Sequence, residues 1–175
     1  AYAKSALERL GVTVELGRPV SACDAEGVVF GGKRLPAKTI IWAAGVAASP
    51  AGQWLDVPTD RAGRVIVEPD LTVPGHRDIF VIGDTAQVAR PGGGFVPGIA
   101  PAAKQAGQYV AKIIRARLAG DTAARPFVYK HQGDLATIGK RAAVIDFGRF
   151  SFTGWLAWWL WGIVHIFFLI GLRNR

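Results

Sequence analysis

The sequence predicts an α/β fold, and three observations carry that expectation. The stretch "IFVIGDTAQV" (Ile79 to Val88) opens on four apolar residues, β-branched or aromatic, with no polar alternation. That is the pattern of a short strand covered on both faces, as in a parallel sheet. Between residues 12 and 45, short β-branched runs alternate with Gly, Asp and Pro, which read as strands and their connections. Ala102 to Leu118, "AAKQAGQYVAKIIRARL", has helical spacing and a turn signal at its end. At 175 residues, half of them apolar, the chain can hold one good-sized core or parts of two.

Residues 1 to 10 read as the end of an amphipathic helix, with Leu7 and Leu10 apolar and Gly11 placed to terminate it. "VTVEL" (Val12 to Leu16), "PVSAC" (Pro19 to Cys23), "GVVF" (Gly27 to Phe30) and "KTIIWAAG" (Lys38 to Gly45) read as strands, with "DAEG" and "GGKRLP" as hairpin connections. A helix, a small meander and a final apolar strand fit the closing half of a nucleotide-binding α/β domain. Small residues then dominate "AGVAASPAG" (Ala44 to Gly52), as where a backbone passes close to a ligand or changes domain. "RVIVEPDL" predicts a further strand before the Ile79 run. The loop "RPGGGFVPG" (Arg90 to Gly98) has three consecutive glycines but neither P-loop nor GxGxxG spacing.

In the helix from Ala102, Pro101 suits the first turn. Ala102, Ala106, Val110, Ile113 and Leu118 form an apolar side, Lys104, Gln108, Lys112 and Arg115 a polar one, and Gly120 is the stop. Its small-residue first turn permits close approach, and its amide-bearing, positive dipole end suits an anionic or polarised ligand edge. "DLATIGKRAAVIDFG" (Asp134 to Gly148) predicts two short strands around "GKR".

Composition narrows the partners. A formal charge of +8 and a pI near 10.2 favour an anionic partner. The basic residues are scattered as singles and pairs (Lys33-Arg34, Lys140-Arg141, Arg173, Arg175) without a nucleic-acid motif, which favours a lipid surface over nucleic acid. A single cysteine, Cys23, excludes an intrachain disulfide or CxxC pair and reads as a small buried apolar residue. His76, His131 and His165 lack zinc-type spacing. The helix-like opening, with no methionine anywhere, reads as a piece of a longer chain.

Trp155 to Leu172, "WLAWWLWGIVHIFFLIGL", is apolar or glycine throughout except His165 and is followed by "RNR". As a helix it would be roughly 27 Å long, near the threshold of a membrane span. Trp155, Trp158, Trp159 and Trp161 crowd its first half, which favours a helix in the membrane interface over a spanning or core helix. Trp158, Gly162, His165 and Leu169 would share a face, and a lone ionisable group on a membrane-side helix is a functional candidate.

Four stretches, "TIIWAAGVAASP", "DIFVIGDTAQV", "GIAPAAKQAGQYVAKII" and the last 43 residues from "GDLATIGKR" onward, occur in an order that resembles the carboxyl-terminal part of type II NADH dehydrogenases. These are single-subunit flavoenzymes that pass electrons from NADH through FAD to membrane quinone. The resemblance implies part of a Rossmann-like flavoprotein with two dinucleotide-binding domains and a C-terminal apolar membrane-associating helix. Residues 1–48 would end the NADH-binding domain, 49–130 return to the FAD-binding domain, and 131–175 form the quinone-site and membrane-associating region. The GxGxxG motifs would precede residue 1, and further anchoring residues would follow Arg175.

The resemblance further implies that Gly83 admits close approach of FAD and that Asp84 hydrogen-bonds its ribityl chain. Ala44 and Gly45 would lie where the returning strand passes the dinucleotides. "APAAKQAG" (Ala100 to Gly107) matches the family's AQxxxQ-type signature beside the flavin ring, with Pro101 in place of the first glutamine and Gln105 as the second. Pro101, Gln105, Gly162 and His165 are the implied quinone-side residues. The implied cofactors are FAD and NADH; the implied partners are membrane quinone, an anionic lipid surface and a second copy of the chain through Phe147 to Leu172. The implied location is peripheral or monotopic on the cytoplasmic face of the inner membrane. A sulfide:quinone oxidoreductase-like enzyme, which would need redox cysteines, and a non-catalytic membrane-attached module are the alternatives.

Overall fold

The computed structural model describes residues 2–123 and 125–169; the readings that involve Leu172, Arg173 and Arg175 lie outside them. In chain order the elements are α1 (Tyr2–Arg9), β1 (Val20–Asp24), β2 (Gly27–Phe30), β3 (Lys33–Pro36), α2 (Ala51–Leu55), β4 (Val65–Ile66), β5 (Thr72–Val73) and β6 (His76–Phe80). A 3-10 turn (Gly83–Thr85) follows, then β7 (Ala86–Gln87), α3 (Ala100–Leu118), β8 (Asp134–Gly139), β9 (Ala142–Asp146), β10 (Ser151–Thr153) and α4 (Gly154–Phe168). They form two compact units, one of Ala1–Ala43 with Gly133–Arg175 and one of Ala44–Gln132.

The core of the 44–132 unit consists of Val65, Leu71, Val73, Val81, Ala86, Val88, Ala106 and Phe127. Pro74 and Gly75 turn β5 back onto β6 as an antiparallel pair, and β4 pairs with β7 in parallel. The apolar run that opened the sequence reading is thus divided. Ile79 and Phe80 end β6, while Val81 leaves the ladder, donates its amide to the Leu71 carbonyl at 3.1 Å and is buried. A continuous parallel strand through Ile82 is not what forms, because β6 takes its partner from the local hairpin. Leu71 is fully buried at φ +66°, a left-handed conformation uncommon for a branched residue. Asp70 accepts from the Thr72 amide and hydroxyl, which holds this corner.

Helix α3 begins at Ala100, with Pro101 in its first turn as predicted. Ala102, Ala106 and Ile113 are buried, and Lys104, Gln108, Lys112 and Arg115 are exposed. Leu118 is 84% exposed, because it falls in the last turn, past the end of the surface that α3 covers. Asp60 ties the parallel pair together: its carboxylate accepts from the Arg64 amide and guanidinium and from Gln87 Nε2 at 2.9 Å.

In the other unit, α1 ends in a Schellman-type closure at Gly11, with Gly11 N bonded to Glu8 O and Val12 N to Leu7 O. In the β1–β2–β3 meander, β1 and β2 follow the predicted runs, but β3 forms within "GGKRLP", the run expected to be a connection throughout. Gly31 and Gly32, both at positive φ, suffice for the two-residue hairpin loop, and Lys33–Pro36 then pairs with β2. Two predicted strands are absent. Val12 to Leu16 and Lys38 to Gly45 are irregular, with Ile41 and Trp42 exposed. A strand exists only with a hydrogen-bonding neighbour, and none of the described residues pairs with these runs. Cys23 is exposed on β1 rather than buried, since all five β1 residues are exposed.

The β8–β9 hairpin and β10 form a three-stranded antiparallel sheet, and β10 runs directly into α4. Ala157 of α4 packs on Ala143 and Ile145 of β9, with Leu135 and Trp158 at the edge of this second core.

One pH effect follows from the meander. Arg34 bonds both Asp24 carboxylate oxygens, at 2.7 and 2.8 Å, and the Glu26 amide bonds one of them at 2.9 Å. The Arg34 bond first, and the Glu26 amide second, pull Asp24 down from 3.8 to about 2. Because the folded value is depressed, the pair's support of the meander is present above 3.8 and is lost as pH falls toward 2. A carboxyl-carbon NMR titration should place the Asp24 midpoint near 2, and Arg34→Gln should return it toward 3.8.

Candidate functional site: the Gly83–Asp84 turn and the start of helix α3

The predicted residues Gly83, Asp84, Ala100, Pro101 and Gln105 all lie in the 44–132 unit, on the 3-10 turn and the first two turns of α3. Small residues bring the two together. Gly83 has φ +67°, and a Cβ there would stand 3.4 Å from Ala103 Cβ; Ile82 reaches Gly107, where an added Cβ would stand 3.8 Å from Ile82 Cδ1. A larger residue at 103 or 107 would separate turn and helix. The left-handed glycine turns the chain so that Asp84 is exposed at the mouth of this contact.

Gly98 is adjacent. A Cβ at 98 would stand 3.3 Å from Asp84 Oδ1, so the carboxylate lies over the backbone just before the α3 N-cap, Ile99. It therefore sits near the positive end of the α3 dipole. None of the hydrogen bonds or ion pairs among the described residues engages this carboxylate, which leaves its oxygens available as acceptors. Ile99 provides no side-chain cap, and Pro101 brings no amide hydrogen to the first turn. The hydroxyls of Ser49 and Thr85 lie 3.4 Å apart beside the turn. Carboxylate, hydroxyls and a small-residue surface together suit a ligand segment rich in hydroxyl groups.

Gln105 has a definite task. Its Nε2 donates to the Lys130 carbonyl at 2.8 Å and its Oε1 accepts from the Lys130 amide at 3.0 Å. The carboxamide clamps residues near 130 to α3 as a strand neighbour would, with one N–H and one lone pair left over. Ala44 and Gly45 are exposed and irregular, with Gly45 at φ +120° and open space where a Cβ would be. Gly162 and His165 belong to α4 in the other unit. His165 Nδ1 lies 2.7 Å from the Trp161 carbonyl and its ring stacks on Trp161 at 3.9 Å. Nδ1 must therefore be the protonated nitrogen, leaving Nε2 as the acceptor of the neutral ring. Leu169 departs from their predicted common face, because α4 ends at Phe168 and Leu169 is extended.

Residues 1–107 match the family described as pyridine nucleotide-disulphide oxidoreductase. The chain belongs to that family. Residues 131–175 match the NDH2 C-terminal domain, and the similarity within the family is to the carboxyl-terminal part of type II NADH dehydrogenases. A type II NADH:quinone oxidoreductase of Mycobacterium tuberculosis is 42% identical over 99% of this chain, and one of Staphylococcus haemolyticus is 38% identical over 85%. In both cases the aligned part is 38% of the relative's own length. The NDH2 of Plasmodium falciparum solved with NADH superposes with a TM-score of 0.84 at 17% identity, over 99% of this chain and 51% of that one. The α/β fold is therefore that of this family.

Within this pyridine nucleotide-disulphide oxidoreductase chain, a recess of about 610 Å³ lies elsewhere: Asp70, His76, Arg77 and Arg117 are among its lining residues, and none of the candidate residues is. Arg117 is engaged there by the Arg77 carbonyl, Asp70, Asp78 and the face of Phe80. Sequence reasoning missed Gly98, Ser49 and Thr85. Gly98 was visible as the last glycine before a predicted helix; the hydroxyl pair carries no sequence signal, since it joins residues 36 apart.

Proposed function

We propose that this chain forms the flavin-ribityl and quinone-side portion of an enzyme that oxidises NADH and reduces membrane quinone. The observation that carries the reading is the Asp84 carboxylate, free and exposed over Gly98 beside the small-residue contact of Gly83 with Ala103. The residues fit a flavin: a charged acceptor for ribityl hydroxyls, a glycine where a side chain would crowd, and a helix start without acidic residues. A bound FAD would supply hydride acceptance and electron delivery to quinone.

This chain's own residues bind and orient. Asp84 would accept hydrogen bonds and fix the cofactor's chain without moving a proton. The α3 start would favour negative charge nearby. Pro101 gives the first turn a rigid apolar surface, and Gln105 holds the Lys130 segment in place while keeping one N–H for a quinone oxygen. Ala44 and Gly45 would border the dinucleotides. His165 Nε2 would hold or receive a proton on the quinone side, with Gly162 leaving room one turn earlier.

Membrane attachment belongs to the same reading. Helix α4 is apolar with Trp155, Trp159, Ile163 and Phe167 exposed, and the net charge of +8 suits an anionic surface. None of the helices among the described residues is long and apolar enough to cross a membrane. The crowding of Trp155, Trp158, Trp159 and Trp161 in the first half of α4 supports the reading that it lies in the interface, and the proposed location is the cytoplasmic face of the inner membrane. Exposed Phe147, Phe150 and Phe152 suit contact with a second copy. The protein that carries this chain should consume NADH only when a short-chain quinone is present. Quinone-independent consumption, or none by a flavin-loaded preparation, would overturn the proposal.

A further inference from the structure

We propose that the tip of the β8–β9 hairpin and the first two turns of α4 form a discrete site for one anionic phospholipid. Lys140 and Arg141 would hold the headgroup phosphate, and Trp155, Trp158 and Trp159 the glycerol and upper acyl region. The inference rests on the membrane-attachment reading and adds to it a place and a ligand class.

These five residues line a recess of about 340 Å³ in one unit, within the size range of ligand sites. Gly139 pairs with Ala142, so Lys140 and Arg141 are the two residues of the hairpin loop. Both are exposed, and none of the ion pairs among the described residues uses either. The other cation pair on a hairpin differs, because Arg34 is spent on Asp24. Arg141 also stands at φ +61°, where glycine or asparagine would be the unstrained choice. A cation is placed there at a conformational cost.

The wall of the recess is held firmly. Trp158 packs against Ala143, Ile145 and Ala157 and meets Trp159 edge-on at 5.4 Å. Ala143 is bridged to Gly154, which ties the hairpin to the start of α4. The hairpin tip and the indoles therefore present one surface. A free inorganic anion would need only the cations; three indoles beside them add an apolar wall that suits an amphiphile, and indoles favour the headgroup level. Arginine and lysine at that level bind lipid phosphate by charge-assisted hydrogen bonds.

The test is flotation of the flavin-loaded, full-length protein with vesicles of phosphatidylcholine alone or with added phosphatidylglycerol. Wild type should prefer the anionic vesicles by about tenfold or more. Lys140→Gln/Arg141→Gly should lose most of that preference while binding neutral vesicles as wild type does. Arg141→Gly relieves the left-handed constraint, so the hairpin keeps its stability in thermal unfolding. Lys112→Gln/Arg115→Gln, which removes two charges from the exposed side of α3, should keep most of the preference. Equal loss in both double variants, or none in the hairpin variant, would overturn the site in favour of diffuse charge attraction. Competition by inorganic phosphate beyond that of chloride at equal ionic strength would make it a free-phosphate site and overturn the lipid assignment. Wild-type binding to both vesicles equally would remove the site and leave attachment standing; binding to neither would remove attachment itself.

Discussion

Asp84→Ala should strip flavin from the protein that carries this chain. The carboxylate is exposed, unengaged by the described bonds and ion pairs, and close to the N-terminal end of α3. Its removal therefore frees no buried partner and leaves the fold intact. What is lost is a charge-assisted hydrogen bond to a ribityl hydroxyl, about 1.5–3 kcal/mol, so retention should weaken by about 10- to 150-fold. Asp84→Asn keeps one acceptor oxygen and should fall between. Absorbance of bound flavin per protein after gel filtration, with thermal unfolding as the control for folding, reads both variants. Unchanged flavin content in Asp84→Ala would remove the observation on which the proposed function stands.

Leu71→Ala should be the most destabilising single change in the 44–132 unit, by about 3 kcal/mol. Leu71 is fully buried in the core, and its carbonyl receives the Val81 amide two residues before Gly83. Loosening it would move the turn that presents Asp84, so flavin retention should fall along with stability. Leu71→Gly makes the mechanism specific. Glycine ordinarily costs more than alanine, but at φ +66° it removes a left-handed penalty of about 1 kcal/mol that alanine keeps. The glycine variant should therefore unfold at or above the temperature of the alanine variant. The opposite order would show that the conformation at 71 carries no strain.

The parts of the fold legible in the sequence were those set by local rules. Gly11 ended α1, Gly31-Gly32 made the hairpin loop, Pro101 opened α3, and the alternation on either side of "GKR" became β8 and β9. In each case a residue's own backbone preference, or a pattern over a few neighbours, is sufficient. The failures share a cause as well. "VTVEL" and "KTIIWAAG" have the composition of strands, but a strand needs partners, and none of the described residues supplies them. Leu118 continued the helical period past the surface that α3 covers. Cys23 looked like a core residue but lies on a strand with no buried position.

The sequence by itself determined the α/β class, the Gly83–Asp84 turn ahead of a small-residue helix start, the apolar Trp-rich segment and the basic charge, because these are properties of residue type and spacing. Only the tertiary structure decided that Gly98 underlies Asp84, that Gln105 is bound at both ends to Lys130, and that His165 is protonated on Nδ1 toward Trp161. It likewise brought Lys140 and Arg141 beside three tryptophans. The physical reason is distance along the chain: contacts across 14 or 25 residues depend on how turns and packing return the backbone to itself. The exception is His165, whose partner is one helical turn away; there the choice of a backbone acceptor over a ligand was a matter of side-chain rotamer, which residue type alone leaves open.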